Sequence, residues 1–221
     1  MVTMKSEDYD EKYWEGGVGS EYHNYADDPG WFGILKEAYR YLPEKAVIRE
    51  LGSAHGYFLF HAVRDFGYDA QGIDISEYAV NKGKRLIPSI RERLTIANVA
   101  DGLPWADREA DMVFSSEFLE HMTPEALDFV LSEMYRVLKP GGLWLHKIGI
   151  VVPENHPHRP ATLEDHSAHF THYTIKTRDE WLDTFRGMGL VENVALNAAL
   201  DERFSDRDWI MRFFAFNKEV S

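Results

Sequence analysis

The sequence predicts an α/β protein: a mostly parallel β-sheet with helices on both faces. Strand-like and helix-like segments alternate from Ala46 to Ile148, and the first strand runs through a glycine-bearing loop straight into a helix. The 221 residues are 44% hydrophobic, enough to bury one substantial core and too few for two ordinary domains. Charge narrows the partners. Twenty-four basic residues against 37 acidic ones give a net charge of −13, which disfavours nucleic acid and anionic lipid surfaces. No apolar run approaches the ~18 residues of a membrane span, and residues 1–10 lack a signal peptide's basic start and apolar middle, so a cytoplasmic protein is expected. With no cysteine, disulfides and thiolate chemistry are excluded, and the ten histidines and the carboxylates are the strong metal ligands left.

Residues 1–45 read as a polar arm studded with aromatics (Tyr9, Tyr13, Trp14, Tyr22, Tyr25), then a helix over 31–41. Residues 46–148 carry the alternation: strands at 46–51, 70–74, 94–99, 111–115 and 142–148, helices at 57–66, 76–86 and 123–138. Thr123 is a good N-cap with Pro124 at the first helical position, and Pro140-Gly141-Gly142 punctuates the return to a strand. Residues 149–175 form a loop rich in histidine (His156, His158, His166, His169, His172); its position after the carboxyl end of a parallel strand marks it as functional. Thr177 and Glu180 make a capping box for a helix to about Gly187, and strands at 191–197 and 208–216 close the chain.

The strongest local signal is Glu50-Leu51-Gly52-Ser53-Ala54-His55-Gly56. A dinucleotide loop needs G-x-G-x-x-G, and counting from Gly52 its second and third glycine positions hold Ala54 and Tyr57. Acidic-x-Gly-x-x-x-Gly instead suits a ligand without phosphates, with the backbone passing close to it and the acid attending a cationic or hydroxylated part. Asp74, 22 residues beyond Gly52, ends the second strand, where a carboxylate can accept both hydrogens of a ribose diol or simply complement a helix N-terminus. A nucleoside ligand is implied.

From Val47 to Ile148 the sequence resembles the class I S-adenosylmethionine-dependent methyltransferases, with five motifs in order: Glu50-x-Gly52-x-x-x-Gly56, Gly72-Ile73-Asp74-Ile75-Ser76, Asn98-Val99-Ala100-Asp101-Gly102-Leu103-Pro104, Asp111-Met112-Val113-Phe114 and Leu138-Lys139-Pro140-Gly141-Gly142. The resemblance implies a Rossmann-like methyltransferase fold with a seven-stranded, mostly parallel sheet, and S-adenosyl-L-methionine as cofactor. Glu50, Gly52 and Gly56 would line its methionyl side, Asp74 would take the ribose hydroxyls, Ile75 would pack on adenine, Asn98 and Val99 would meet the adenine edge, and the backbone near Ser115 would flank the methionine. Ala54 replaces a frequent glycine, tolerable at negative φ, and Asn98 replaces a frequent aspartate.

Glu117-Phe118-Leu119-Glu120-His121 follows the fourth strand. If it is helical, Glu117, Glu120 and His121 share one face, and the two carboxylates call for a cation such as Mg²⁺, Mn²⁺, Fe²⁺ or Zn²⁺. The pattern is similar to that of ubiquinone-pathway O-methyltransferases and small-RNA 2′-O-methyltransferases, which implies a metal held by Glu117, Glu120, His121 and a later histidine: His169, with His166 and His172 as competitors. Without metal, His121 or His169 would act as general base. His55 is expected as a solvated spacer or a ligand contact, and the aromatics Tyr13, Tyr22, Tyr25 and Trp31 as a shield for the cofactor, a stacking surface for substrate, or packing on the sheet's rim. The expected function is methylation of a hydroxyl on a small-molecule acceptor. The alternatives are a metal-independent N- or C-methyltransferase and a non-catalytic cofactor-binding protein.

Overall fold

A computed structural model describes residues 5–16, 25–151, 172–205 and 211–220. The chain opens with a short helix, α1 (Glu11–Trp14), capped by Asp10, and continues through α2 (Pro29–Ala38), where the Asp28 side chain accepts from Gly30 N at 2.5 Å and proline occupies the first turn. There follow β1 (Val47–Leu51), α3 (Tyr57–Arg64), β2 (Asp69–Asp74), α4 (Glu77–Leu86), β3 (Leu94–Ile96), β4 (Ala110–Ser116), α5 (Pro124–Val137), β5 (Leu138–Gly149), α6 (Arg178–Gly187), β6 (Leu190–Glu192), α7 (Val194–Arg203) and β7 (Met211–Lys218). The seven strands form one sheet in the order β3-β2-β1-β4-β5-β7-β6. β1 to β5 run parallel, and β7 runs antiparallel to both of its neighbours. This is the seven-stranded, mostly parallel α/β architecture that the sequence predicts.

Alternation along the strands sends side chains to two cores. On one face α2, α3, α4 and α7 cover Ile48, Met112 and Phe114, with Phe58 stacked on Phe114 at 4.0 Å between ring centroids. On the other, α5 and α6 cover Leu51, Val113, Trp144, Phe214 and Phe216. Each fully buried large side chain stabilises the fold by about 1.5–3 kcal/mol. Among the described residues, no helix is long and apolar enough to cross a membrane.

One expectation changes at the C-terminal end. The strand expected over 191–197 is only the three-residue β6, after which the chain turns into α7. Asn193 explains the switch: its side chain accepts from Leu196 N at 3.1 Å, capping an alanine- and leucine-rich stretch whose Leu196, Asn197 and Leu200 are buried. Among the described residues the last strand runs over Met211–Lys218, and residues 208–210 of the strand expected over 208–216 lie outside them.

Candidate active site

The strand order reverses direction between β1 and β4, so a crevice opens at the carboxyl ends of the strands there. It holds a cavity of about 190 Å³. Glu50, Gly52, Ile73 and Asp74 come from the ends of β1 and β2, Ala97, Asn98 and Val99 from the turn after β3, and Ser116, Glu117, Phe118, His121 and Met122 from the segment after β4.

Asp74 is fixed from both sides. Its Oδ2 accepts from Ala54 N at 2.8 Å and its Oδ1 from Ser76 N at 2.8 Å. Burial raises its carboxyl above the ordinary range, opposed by those two hydrogen bonds. Glu50 is buried beside it, with Oε2 lacking a hydrogen-bond partner among the described residues. Burial, and then the charge of Asp74, push its carboxyl well above the usual value. A buried carboxylate with an orphaned oxygen beside a half-buried one makes a place for a cationic ligand with hydrogen-bond donors. Asn98 also has a local duty: its side chain accepts from Ala100 N at 3.0 Å.

The N-terminal arm roofs the cavity with Tyr9, Tyr13, Trp14 and Tyr25. Ser76, fully buried at the start of α4, holds it: Ser76 Oγ donates to the Tyr9 carbonyl at 2.6 Å and accepts from Trp14 Nε1 at 3.0 Å. Outside, Glu15 pairs with Lys82 and accepts from Tyr78 at 2.6 Å. Of the sequence-predicted arm residues, Tyr13, Tyr25 and Trp31 line the cavity, and Tyr22 lies outside the described residues. His55 is not a solvated spacer. It is 1% exposed under Trp14 and Tyr25, with ring centroids 5.2 and 5.0 Å away, and burial drops its pKa to about 4.

Of the eight residues expected around a cofactor, Glu50, Gly52, Asp74, Ile75, Asn98 and Val99 line this cavity, and Gly56 and Ser115 do not. Gly56 serves packing: at φ +81°, a Cβ there would lie 2.6 Å from Ile90 Cδ1 and 3.1 Å from the Leu94 methyls. Ser115 points into the sheet's covered face, where its Oγ and His146 Nδ1 are hydrogen-bonded at 2.8 Å; the next residue, Ser116, is the one at the cavity. Above Gly52 the space left by the missing side chain is filled by the Phe118 ring, 2.6 Å from where a Cβ would stand. Ala54 departs from the expectation of negative φ, adopting +48°. Phe118, Ser116 and the arm residue Tyr9 were not expected at the site; only the alternation of β4 and the aromatic content of the arm hinted at them.

The segment after β4 is not one helix. Glu117 takes φ +52°, donates its N–H to the Lys147 carbonyl at 2.7 Å and pairs its carboxylate with Lys147 Nζ at 2.7 Å, and only Leu119–His121 form a 3-10 turn. Glu117 therefore does not share a face with Glu120 and His121 as the sequence suggested. Among the described residues, the group able to hold a metal is Glu120, His121 and His172, whose ligand atoms all lie within 4.8 Å of one another. His172 is brought there because Tyr173 and Thr174 both donate their N–H to the Glu120 carbonyl at 3.0 Å, placing the His172 ring 4.7 Å from that of His121. Glu120 Oε1 accepts from Gly149 N at 2.9 Å, whereas Oε2 is buried without a partner among the described residues, and burial pushes the carboxyl up to about 8. A buried carboxylate with an orphaned oxygen beside two imidazoles fits a divalent ion. His166 and His169 lie outside the described residues.

Comparison with known proteins agrees with this fold. Residues 48–142 match the family Methyltransf_25, a methyltransferase domain. An uncharacterised methyltransferase of Synechocystis is 35% identical over 78 residues, 35% of each chain. A probable S-adenosylmethionine-dependent methyltransferase of Mycolicibacterium smegmatis is 28% identical over 201 residues, covering 83% of this chain and 76% of that protein. The chain spans between 35% and 51% of the length of the first three curated relatives. In fold it is similar to geranyl diphosphate C-methyltransferase of Streptomyces coelicolor, at a TM-score of 0.64 and 18% identity over 92% of this chain and 83% of that one. Residues 48–142 thus match a methyltransferase domain, set in a chain whose fold is similar to that of a known methyltransferase.

Proposed function

We propose that the chain transfers the methyl group of S-adenosyl-L-methionine to a hydroxyl oxygen of a small molecule, assisted by a divalent metal. The pair Glu50 and Asp74 carries the first half: the orphaned Glu50 Oε2 suits the donor's ammonium, and the backbone-anchored Asp74 suits the ribose diol. Ile75, Asn98 and Val99 stand where adenine would lie. A sulfonium methyl is already electrophilic, so the protein's task is alignment, exclusion of water and uptake of a proton. The acceptor oxygen forms the new C–O bond while the C–S electron pair stays on sulfur, leaving S-adenosylhomocysteine. The roof of Tyr9, Tyr13 and Trp14 keeps water from the sulfonium.

Glu120, His121 and His172 would hold the metal, with His169 a candidate for a further ligand. Two imidazoles and one carboxylate suit Mn²⁺, Fe²⁺ or Zn²⁺ better than Mg²⁺. When bound, the metal supplies a lowered pKa for the acceptor hydroxyl. A small acceptor is supported by the net charge of −13, which opposes polyanionic substrates.

A second reading, metal-free transfer to carbon or nitrogen with His121 as base, is favoured by the diversion of Glu117 to Lys147, which takes one ligand out of the expected set. The test is calorimetry with S-adenosylhomocysteine, followed by a methyl-transfer screen on hydroxylated acceptors with and without chelator. No heat of binding would reject the cofactor; turnover undiminished by chelation would favour the second reading.

A further inference from the structure

A second cavity, of about 260 Å³, adjoins the first and shares Tyr25, Trp31 and Glu117 with it. We infer that this cavity is the acceptor subsite and that it takes a hydroxylated arene, a substituted aromatic ring whose oxygen is presented at the shared wall. The inference rests on the methyl-transfer reading above and names its substrate class.

The lining separates an apolar end from a polar one. Ile34, Phe204, Met211 and Phe213 supply hydrocarbon or aromatic surface, contributed by α2, the end of α7 and β7. The polar side is the Asp28 carboxylate and the Glu117–Lys147 ion pair, closed at 2.7 Å at the end of β5 and beside the shared wall. Trp31 belongs to both cavities, and its Nε1 is buried without a hydrogen-bond partner among the described residues. The unpartnered indole N–H is a donor, so an occupant with an accepting oxygen there satisfies it. A phenolic oxygen meets that need. A sugar would strand several hydroxyls against Ile34, Phe204 and Phe213, whereas an aromatic ring loses nothing there. A cavity of ~150 Å³ already admits benzene, so this one has room for a ring with substituents.

The test titrates protein saturated with S-adenosylhomocysteine with catechol and, separately, with trans-1,2-cyclohexanediol, in wild type, Ile34→Phe and Phe204→Trp. Both substitutions fill the second cavity without touching the first, and either suffices should the other not fold. Expected are a catechol dissociation constant about tenfold below that of the diol in wild type, a rise of about tenfold in the filled variants, and S-adenosylhomocysteine affinity within about twofold throughout. In turnover the filled variants should raise KM for the arene far more than they lower kcat. Catechol affinity unchanged by the filled variants, a diol that binds as tightly, or no catechol binding to cofactor-loaded protein overturns the acceptor assignment alone. Failure of S-adenosylhomocysteine itself to bind overturns the functional reading and this inference with it.

Discussion

Ala54 donates its backbone N–H to Asp74 Oδ2 at 2.8 Å, and it does so from a φ of +48°. The left-handed backbone turns that N–H towards the end of β2, so local strain in the loop after β1 fixes a carboxylate in the next strand. An alanine in this region costs about 1–2 kcal/mol relative to a right-handed residue. Ala54→Gly should therefore raise stability by about 0.5–1 kcal/mol, the strain relief less the extra entropy of an unfolded glycine. The urea midpoint should rise with no change in slope; a fall would show that the alanine methyl packs more usefully than its backbone strains.

Asp74→Asn should weaken S-adenosylhomocysteine binding by about 1.5–3 kcal/mol, the range for a hydrogen bond to a charged acceptor. It should also cost stability. An amide offers one oxygen, whereas Asp74 accepts from Ala54 N and Ser76 N on separate oxygens, so one backbone donor would face an NH₂ group. Calorimetry and denaturant unfolding on the same sample would separate the two losses, and an unchanged dissociation constant would remove Asp74 from the ligand's contacts.

The six expected residues that line the cavity share a property: each belongs to a segment where strand end, loop and helix start follow directly, so order along the chain dictates position in the crevice. Gly56 and Ser115 stand away from the cavity, and the sequence does not tell them apart from lining residues. A glycine demanded by Ile90 and Leu94 and one demanded by a ligand look the same in sequence, and the one-residue choice between Ser115 and Ser116 depends on the strand's facing. Glu117 was misplaced because its partner, Lys147, lies 30 residues away on a neighbouring strand. The second cavity was invisible altogether, since Ile34, Phe204 and Phe213 come together only through the packing of α2 and α7 on β7. Helix α7 was lost to its apolar start, although Asn193 carried the cap that announced it.

His146 sets an acid limit on the fold. It is fully buried on β5, and burial drops its pKa to about 3 from an ordinary 6.5. The unfolded chain takes up a proton near pH 6.5 while the folded chain does so only near 3, so stability is lost as pH falls between those values, by about 1.4 kcal/mol per pH unit. His55, depressed to about 4 by burial, acts in the same sense. His146→Gln removes one such group while keeping a polar partner for Ser115, so unfolding free energy measured from pH 6 to 4 should fall less steeply by about 1.4 kcal/mol per unit. Parallel curves for the two proteins would mean that His146 is protonated in the fold.

Glu120 offers a check on metal binding that needs no substrate. With Oε2 buried and unpartnered among the described residues, the carboxylate costs the metal-free protein stability that a bound cation would return. Added Mn²⁺ or Zn²⁺ should raise the thermal midpoint of the wild type by the mass-action amount, about 2.7 kcal/mol at a hundredfold excess over Kd. Glu120→Gln should lose that response and keep its affinity for S-adenosylhomocysteine, because Glu120 does not line the cofactor cavity. An equal metal-dependent rise in both proteins would place the ion elsewhere.

Ser76 spends its whole hydrogen-bonding capacity on joining the arm to the domain. Its Oγ donates to the Tyr9 carbonyl and accepts from Trp14 Nε1 and from Ala79 N, the last at 3.1 Å as the cap of α4. Ser76→Ala should cost about 1 kcal/mol for the cap and about 1–3 kcal/mol more for the buried indole N–H left unpaired. If Tyr9, Tyr13 and Trp14 shield the cofactor, the same change should speed dissociation of S-adenosylhomocysteine more than it slows association, because the roof must open before the ligand leaves. Glu15→Gln provides the contrast: it loosens the arm only at the exposed Lys82 contact, where a surface ion pair contributes little. Stopped-flow displacement, following the quenching of tryptophan by ligand, would read both variants. A Ser76→Ala protein that stays folded and releases ligand at the wild-type rate would show that the arm packs on the sheet's rim without gating the cavity.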